Sequence, residues 1–436
     1  MTTESTEAER SLVALVDAYG RRITPAFLDQ HDTGNAVASP LGVWLLLAAC
    51  SGAASGQDLI ELEDTLGCSA ADALGQLRRF LEEPPRALHS ALALWVRQAD
   101  HTTALVDWSA SLPHQVERGP IPSQLHADEW ADRHTAGLIP RFPLDLTPLT
   151  RVVLSSALAT RVSWATPFEV VPAAFYLGES SPWRDVVENV LFEMHPASPT
   201  MLVETEAAGV VAAHFALANE DLAVMSVAAD PSLPHQVVFE AASEVAGICR
   251  ADRVARATLS LYDLPLGRGH SWEVTEHEVQ GPAPKRRPEH IDGAVLVQWK
   301  AESTLDLLAS GSFGVGPAIS SLLGLIGPSP EGDLAQAVQS AVAHYTTSGF
   351  EAAALSVLTL LTGSSDWPDT PRDTHIERRA TLLFDHPYAV VALAGTETDF
   401  RRVRLRHPDS YCLPLFCAWV AEPEEPDEPE DERDLS

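Results

Sequence analysis

Hydrophobic positions near the start of the chain repeat at the spacing of an α-helix. Four of them fall on one helical face: Leu12, Leu15, Val16 and Tyr19. Before them, Thr6 and Glu9 have the spacing of a capping box, in which two side chains satisfy the free amides at a helix N-terminus. The pattern therefore predicts an amphipathic helix that opens the chain after Thr6.

A second helical signal begins at Ser39, a favoured N-cap residue that is followed by Pro40. The stretch after it is almost wholly apolar as far as Cys50, which is typical of a buried helix. Two further segments have helical patterns that end at glycine or proline: residues 57–66 and 70–81. The first hundred residues are therefore predicted to be mainly helical.

The pattern changes after residue 151. Short apolar and β-branched runs, separated by Pro, Gly and Asp, predict strands at 152–154, 222–227, 236–239 and 389–392. Helices followed by strands without regular alternation indicate an α+β domain rather than a doubly wound α/β fold.

Charge excludes two classes of partner. The 436-residue chain has a formal net charge of -32, of which its last fifteen residues supply only a part. Such a field repels phosphate backbones and anionic lipid headgroups, so no nucleic-acid or membrane partner is expected. We assign residues 1–423 to one folded domain and residues 424–436, rich in Glu, Asp and Pro, to a disordered acidic tail.

The N-terminus and the cysteines indicate a compartment. Residues 1–10 lack the apolar core of a signal peptide, and no 18 apolar residues run uninterrupted. The five cysteines form no Cys-x-x-Cys pair, which fits reduced thiols better than disulfides or a zinc site. We therefore expect a cytoplasmic protein without a metal or other cofactor.

Candidate catalytic motifs are weak. Gly269-His270-Ser271-Trp272 resembles a nucleophile elbow, but Glu273 occupies the position of its last glycine, where a side chain would crowd the strained turn. The 16 histidines show no His-Glu-x-x-His spacing for zinc. The residues by themselves indicate no enzyme, and Ser271 is assigned to a surface loop or the start of a strand.

Four separated segments, in order along nearly the whole chain, carry a resemblance to a known family. They are residues 35–43 with 52–53 and 66–67, then 128–139, then 152–157 with Trp164 and 168–169, and finally 349–354 with 384–388 and 415–423. Together they resemble the serpin family: its second and third helices, the helix across its main sheet, its central strand, and its hinge with the C-terminal strands. Residues 172–293 match only by position.

The resemblance implies a fold and a mechanism. The fold is α+β, with N-terminal helices packed on mixed and antiparallel β-sheets and an exposed reactive-centre loop. In the family a protease cuts this loop, which then inserts as a new central strand and distorts the trapped enzyme. The partner implied is a target serine or cysteine protease, or another protein.

The resemblance places the hinge of the loop at six residues: Gly349, Phe350, Glu351, Ala352, Ala353 and Ala354. Side chains alternate along a strand, so those at 350, 352, 354 and 356 would face the core on insertion. Small residues suit such positions. We expect Phe350 to be overpacked there, at a cost on the order of 1 to 3 kcal/mol.

The region that opens the sheet is assigned, again by resemblance, to Ser39, Ser156, Trp164 and Gln339. Gln339 stands where the family usually has a buried histidine, and Ser156 stands where it has asparagine. Thr347 and Gly42 replace a usual glutamate and a common serine. The machinery of sheet opening is therefore expected to be altered.

The bond to be cut has two candidates. Counting forward from the hinge gives Gly363–Ser364, and counting back from Pro387 gives Arg372–Asp373. Arg372 would suit a trypsin-like pocket through a charge-assisted pair with a buried carboxylate, or it is a solvated loop residue. The segment from Phe350 also has helical spacing, so a docked helix is the alternative to a mobile hinge. Two functions therefore stand: a protease inhibitor, and a non-inhibitory binding or scaffolding protein whose loop does not insert.

Overall fold

The computed structural model describes residues 11–30, 34–194, 199–250, 257–281, 287–327, 335–350, 374–395 and 413–426. Its helices are α1 (Leu12–Asp29), α2 (Pro40–Ser51), α3 (Gly56–Leu66), α4 (Ala70–Glu82), α5 (Thr103–Ser111), α6 (Gln124–His134), α7 (His235–Arg250) and α8 (Val315–Ile326). No helix within these ranges is long and apolar enough to cross a membrane.

A serine side chain caps the N-terminus of each of the first two helices. Ser39 caps α2 as predicted, since its hydroxyl accepts from the backbone amide of Gly42 at 3.1 Å. For α1 the cap is Ser11, whose Oγ accepts from Ala14 N at 3.4 Å, and the predicted capping box at Thr6 lies outside the described residues. The buried face of α1 includes Leu15, Val16 and Tyr19, as the periodicity predicts.

The strands form four sheets. They are β1 (Ala36–Ala38), β2 (His89–Val96), β3 (Glu117–Pro120), β4 (Val152–Ala159), β5 (Val162–Ser163), β6 (Glu169–Pro172), β7 (Asn189–Met194), β8 (Thr200–Thr205), β9 (Gly209–Leu217), β10 (Leu222–Ala228), β11 (Gly267–Arg268), β12 (Trp272–Gln280), β13 (Glu289–Leu296), β14 (Trp299–Asp306), β15 (Val338–Tyr345), β16 (Gly349–Phe350), β17 (Thr374–Leu383), β18 (Tyr388–Ala394) and β19 (Leu413–Val420).

Two sheets have six strands, in the orders β1-β19-β18-β10-β9-β8 and β11-β12-β17-β13-β7-β6. A four-stranded sheet, β14-β15-β16-β5, and a three-stranded sheet, β3-β2-β4, complete the set. Helix α2 is buried almost all round because it packs on α1, α3, α4 and α8 and also on β4 and β19. Helix α6 packs over β2 and β4, where Trp95, Trp130 and Phe142 form a second small core.

Two expectations need correction. Residues 236–239 lie in α7 and not in a strand, because a four-residue apolar run does not distinguish a strand from one face of a helix. The boundary of the acidic tail at Pro423 comes too early. The Glu425 carboxylate accepts from the backbone amides of Glu188 and Asn189 at 2.8 and 3.0 Å, so the folded part extends through residue 426.

Candidate functional site

A gap separates two strands that run in the same direction, β4 and β15. Each has eight residues, and no backbone ladder joins them in the described part of the chain. The gap opens into a cavity of about 560 Å³, lined by α2, by α8, by α6 with the segment after it, and by both strands. Most of the lining is aliphatic or aromatic. The two facing strand edges therefore border a largely apolar space that none of the described residues fills.

Strand β16 closes the upper end of this gap. Phe350 pairs with Tyr345 of β15 on one side and with Val162 of β5 on the other, both antiparallel. Since β5 follows β4 almost directly, Phe350 is the first residue paired on both sides in a strand that would continue between β4 and β15. Just beneath it, Phe350, Val342 and Leu158 line a smaller cavity, and Leu158 also lines the large one.

An aromatic cluster packs around this upper end. The Trp164 ring lies 5.0 Å from Tyr345 and 5.8 Å from Phe168 between centroids, and Trp299 stacks on Tyr345 at 5.8 Å. Trp164 Nε1 also donates to Thr346 O at 2.9 Å, which fixes the turn before β16. Burial raises the pKa of the Tyr345 hydroxyl well above its usual value, so this cluster is uncharged at any physiological pH.

Phe350 belongs to the same cluster. Its ring meets Trp299 edge to face at 6.3 Å, and the residue is 3% exposed. In this state Phe350 packs among aromatic rings, and the overpacking expected on insertion stays a prediction. Thr347 lies in the turn before it, and its buried hydroxyl has no hydrogen-bond partner among the described residues.

Polar side chains meet where α2 enters beneath the gap. Gln339 of β15 and Ser39 exchange two hydrogen bonds of 2.9 Å: the Ser39 amide donates to Oε1, and Nε2 donates to the Ser39 carbonyl. The Ser39 hydroxyl donates to Leu415 O at 2.7 Å, and Ser156 Oγ donates to Gly42 O at 3.2 Å. Gln339 thus holds the N-terminus of α2 to β15, while Ser156 holds it to β4.

An arginine closes the lower end of the gap. Arg151, next to β4, donates to Asp100 Oδ1 through Nε and Nη2 at 3.1 and 2.7 Å, and its Nη1 donates to Gly327 O at 2.8 Å. Hydrogen bonds from Arg97 and Arg151 outweigh burial and hold the pKa of Asp100 below its usual value. The ion pair therefore persists at neutral pH and ties β4 to the end of α8.

The other side of the site is β17, which begins at Thr374. Its residues pair with β12 over nine antiparallel positions, from Thr374 opposite Gln280 to Leu382 opposite Trp272. On its other edge, residues 378–383 pair in parallel with β13. The chain that follows residue 373 therefore enters a strand that is paired on one edge from Thr374 and on both edges from Arg378.

A charged network fastens the end of this strand. Arg268 of β11 donates to Asp385 Oδ2 at 2.5 Å and to Tyr176 O at 2.9 Å. His386 places Nδ1 3.1 Å from the other Asp385 oxygen and Nε2 2.8 Å from Ala229 O. Burial raises the pKa of Asp385, but hydrogen bonds from His386 and Arg268 and the guanidinium charge outweigh it, so the pKa lies below its usual value.

Sequence reasoning missed this network. Asp385 and His386 lie in a segment that carried the family resemblance, yet Arg268 is 117 residues away and has no motif around it. Ser271 is also placed by the structure: it is fully buried directly before β12, and its hydroxyl contacts His270 Nδ1 at 2.9 Å. The predicted strand start is confirmed, whereas the alternative of a surface loop is wrong.

The structure brings together the four residues assigned to sheet opening. Ser39, Ser156 and Gln339 meet beneath the gap, and Trp164 stands at its top. Of the hinge, Gly349 and Phe350 are described and form β16. The remaining assignments lie outside the described residues: Glu351, Ala352, Ala353, Ala354, Gly363, Ser364, Arg372 and Asp373.

These elements define an α+β protein. Strand β16 begins between the open edges of β4 and β15, and β17, the next described strand, is paired on both edges from Arg378. The sequence model of the family described as serpin (serine protease inhibitor) matches residues 15–183, and serpin structures match nearly the whole chain. Residues 15–183 therefore match the serpin sequence pattern, and nearly the whole chain has the serpin fold.

Three solved structures show how far the likeness extends. Tengpin, a thermophilic serpin in its native state, shares 14% identity over 97% of this chain and 96% of its own, with a TM-score of 0.63. Human thyroxine-binding globulin shares 16% identity over 95% of this chain and 100% of its own, with a TM-score of 0.60. Serpin48 of the insect Tenebrio molitor shares 15% identity over 96% of this chain and 99% of its own, with a TM-score of 0.55. At such identities the likeness shows the fold alone. A search of curated proteins finds no match.

Proposed function

We propose that this protein inhibits a serine or cysteine protease by cleavage of a reactive loop, followed by insertion of the loop as a strand between β4 and β15. The observation that carries the proposal is the gap itself. Its two facing edges are unpaired in the described residues, its lining is apolar, and Phe350 already occupies the first position at its top. The reactive bond would be Gly363–Ser364 or Arg372–Asp373.

The dimensions of the gap fit an inserted strand. Eight paired residues in each flanking strand correspond to a length of about 26 Å, which the residues from Glu351 onward would fill. Insertion would satisfy two rows of backbone donors and acceptors and would bury small side chains against the apolar lining. The energy released on insertion would be available to distort the attached protease.

The expected setting is the cytoplasm. Among the described residues, the buried cysteines Cys50 and Cys417 are free thiols, which supports a reducing compartment. On this proposal the chain acts as a protein ligand and not as an enzyme.

Limited proteolysis with a trypsin-like and an elastase-like enzyme tests the proposal. We expect a complex with one protease that survives denaturant, a cut within residues 363–373 by mass, and a sharp rise in the unfolding midpoint of the nicked chain. A cut in that range with an unchanged midpoint would show that the loop does not insert.

A non-inhibitory binding or scaffolding role is the second candidate. It is favoured by the aromatic cluster, because Phe350 is fixed against Trp299 while β16 is held by hydrogen bonds on both sides. A hinge fixed in this way could end the strand after Phe350 and leave the gap open. The unchanged midpoint described above is the result that this role predicts.

A further inference from the structure

The outer half of the β12–β17 pairing projects from the sheet as a two-stranded ribbon. We define the ribbon as residues 275–280 of β12 paired with residues 374–379 of β17. Strand β13 joins β17 only from Arg378 onward, so most of the ribbon has no third strand among the described residues. Residues 275–278 are all exposed, and Ile376 is 49% exposed, so both faces of the ribbon meet solvent.

The base of the ribbon is rigid because Arg378 anchors it. The Arg378 guanidinium lies 4.7 Å from the centroid of the Tyr262 ring, and its Nη1 donates to Leu261 O and Leu264 O at 2.9 and 3.0 Å. Its Nε also lies 3.2 Å from Glu276 Oε1 across the ribbon. A surface that is ordered before binding loses little conformational entropy when a partner docks on it.

The ribbon begins where the loop ends. Thr374 is the residue after Asp373, and a chain spans at most about 3.6 Å per residue, so the Arg372–Asp373 bond lies within about 7 Å of it. A protease of about 230 residues has a radius of gyration of roughly 17 Å. An enzyme that engages this bond therefore must cover the ribbon. The Gly363–Ser364 bond, up to about 36 Å away, imposes no such contact.

Charge indicates the partner's surface. The chain carries a net charge of -32, which attracts a basic protein and repels an acidic one. On the ribbon, Glu276 and Glu377 are matched by arginines, whereas Glu278 forms no ion pair within the described residues and stands opposite Ile376. An exposed carboxylate beside an exposed isoleucine fits a basic side chain that borders an apolar patch.

We propose that the ribbon is a second contact surface for the target protease and selects enzymes whose surface beside the active-site cleft is basic. The inference rests on the proposed inhibitory function and places the cut at Arg372–Asp373. It assigns specificity to two separate features: Arg372 for the pocket, and Glu278 with Ile376 for the surface around it.

Two trypsins of opposite net charge, which share one specificity pocket, provide the test. We expect the full-length protein to associate at least about tenfold faster with the cationic trypsin at low salt, and this advantage to vanish near 1 M salt. Glu278→Lys should slow association with the cationic trypsin by at least about fivefold, the effect of losing about 1 kcal/mol of attraction between close charges in water, to which the new repulsion adds. Glu83→Lys is the matched control. It makes the same change of net charge on an exposed residue at the end of α4, which packs on α2 and α3.

Each outcome decides one of the two proposals. Equal slowing by Glu278→Lys and Glu83→Lys would overturn the ribbon contact, since only the net charge would then matter. If both trypsins cut the loop without a stable complex, inhibition fails, and the ribbon is then judged by the affinity for cationic trypsin inactivated at its catalytic serine. A loss of that affinity in Glu278→Lys alone would still support the contact, and its absence would refute it.

Discussion

The two ends of the proposed reactive loop are held in opposite ways. At Phe350 the chain has just entered a gap whose edges, on β4 and β15, are unpaired among the described strands. At Thr374 it enters β17, which is paired with β12 on one edge and from Arg378 with β13 on the other. After a cut between the two ends, the segment that follows Phe350 could move into the gap. The segment that begins at Thr374 is already paired in a sheet and would stay in place.

This difference assigns the moving part and the fixed part of the proposed mechanism. Insertion by the N-terminal segment gains backbone hydrogen bonds and apolar contacts without breaking an existing ladder. Displacement of β17 would break ladders on both of its edges and also the Arg268–Asp385 contact. A chain of this design is expected to move on one side of the cut only.

The largest effect should come from a charge placed in the path of insertion. Continuing the alternation from Phe350 turns Ala354 toward the gap and Ala353 away from it. Ala354→Arg should abolish the rise in unfolding midpoint after cleavage, because an unpaired guanidinium would be buried in the apolar lining. The nicked variant and nicked wild type are compared by thermal unfolding.

Ala353→Arg is the control, one residue away with the opposite facing. It should keep most of the rise in the unfolding midpoint, since its side chain would extend toward solvent. Loss of the rise in both variants, or in neither, would contradict strand insertion in this register.

Replacing glycine by alanine should lower the free energy of unfolding more in β13, which pairs with β17, than in α2 beside the gap. A Cβ at Gly293 of β13 would lie 2.2 Å from the backbone oxygen of Glu193, where only the strand itself could move. A Cβ at Gly42 would meet the flexible end of Leu158 at 3.0 Å beside the open gap. Gly293→Ala should therefore cost about 3 kcal/mol, and Gly42→Ala should stay within about 1 kcal/mol of wild type, aided by helix propensity.

Urea unfolding of the two variants measures this difference. A similar loss at both glycines would mean that the residues around the gap are packed as rigidly as the held sheet. The open edges would then need another explanation than room for a strand.

The sequence predicted the residues around the gap better than it predicted the contacts that hold β17. Ser39, Trp164 and the segment at Gly349 stood in recognisable local patterns, and the structure places them around one gap. The empty space itself has no sequence signal, since it is set by the distance between strands. Phe350 shows the limit most directly: its size predicts strain on insertion, and only the structure shows that it already lies against Trp299 and Tyr345.

The region around β17 depends on contacts between segments that are distant in the sequence. The β12–β17 ladder joins residues about a hundred positions apart, and neither strand has the regular alternation that signals pairing. Arg268 and Asp385 are ordinary charged residues until the fold brings them together. In so acidic a chain, no single carboxylate could be selected from composition.

The smallest effect should be a change in how the free energy of unfolding depends on pH, caused by Asp385 at the end of β17. The folded pKa of Asp385 lies below its unfolded value near 3.9, so the stability that it contributes is present above that pH and is lost as the pH falls through the folded pKa. Asp385→Asn should lower the free energy of unfolding by on the order of 2 kcal/mol at pH 7, because it leaves Arg268 without its carboxylate.

The difference between Asp385→Asn and wild type should begin to shrink below about pH 4 and should continue to shrink as the pH falls through the folded pKa, where the wild-type carboxyl also becomes neutral. Glu83→Gln, at an exposed site, should show no such trend. Hydrogen exchange at the β17 amides separates a local role from a global one: faster exchange there, with little change in α2, is expected if Asp385 fastens the strand. A uniform increase across the molecule would instead make Asp385 a general contributor to the core, and the anchoring of β17 would then rest on its two ladders alone.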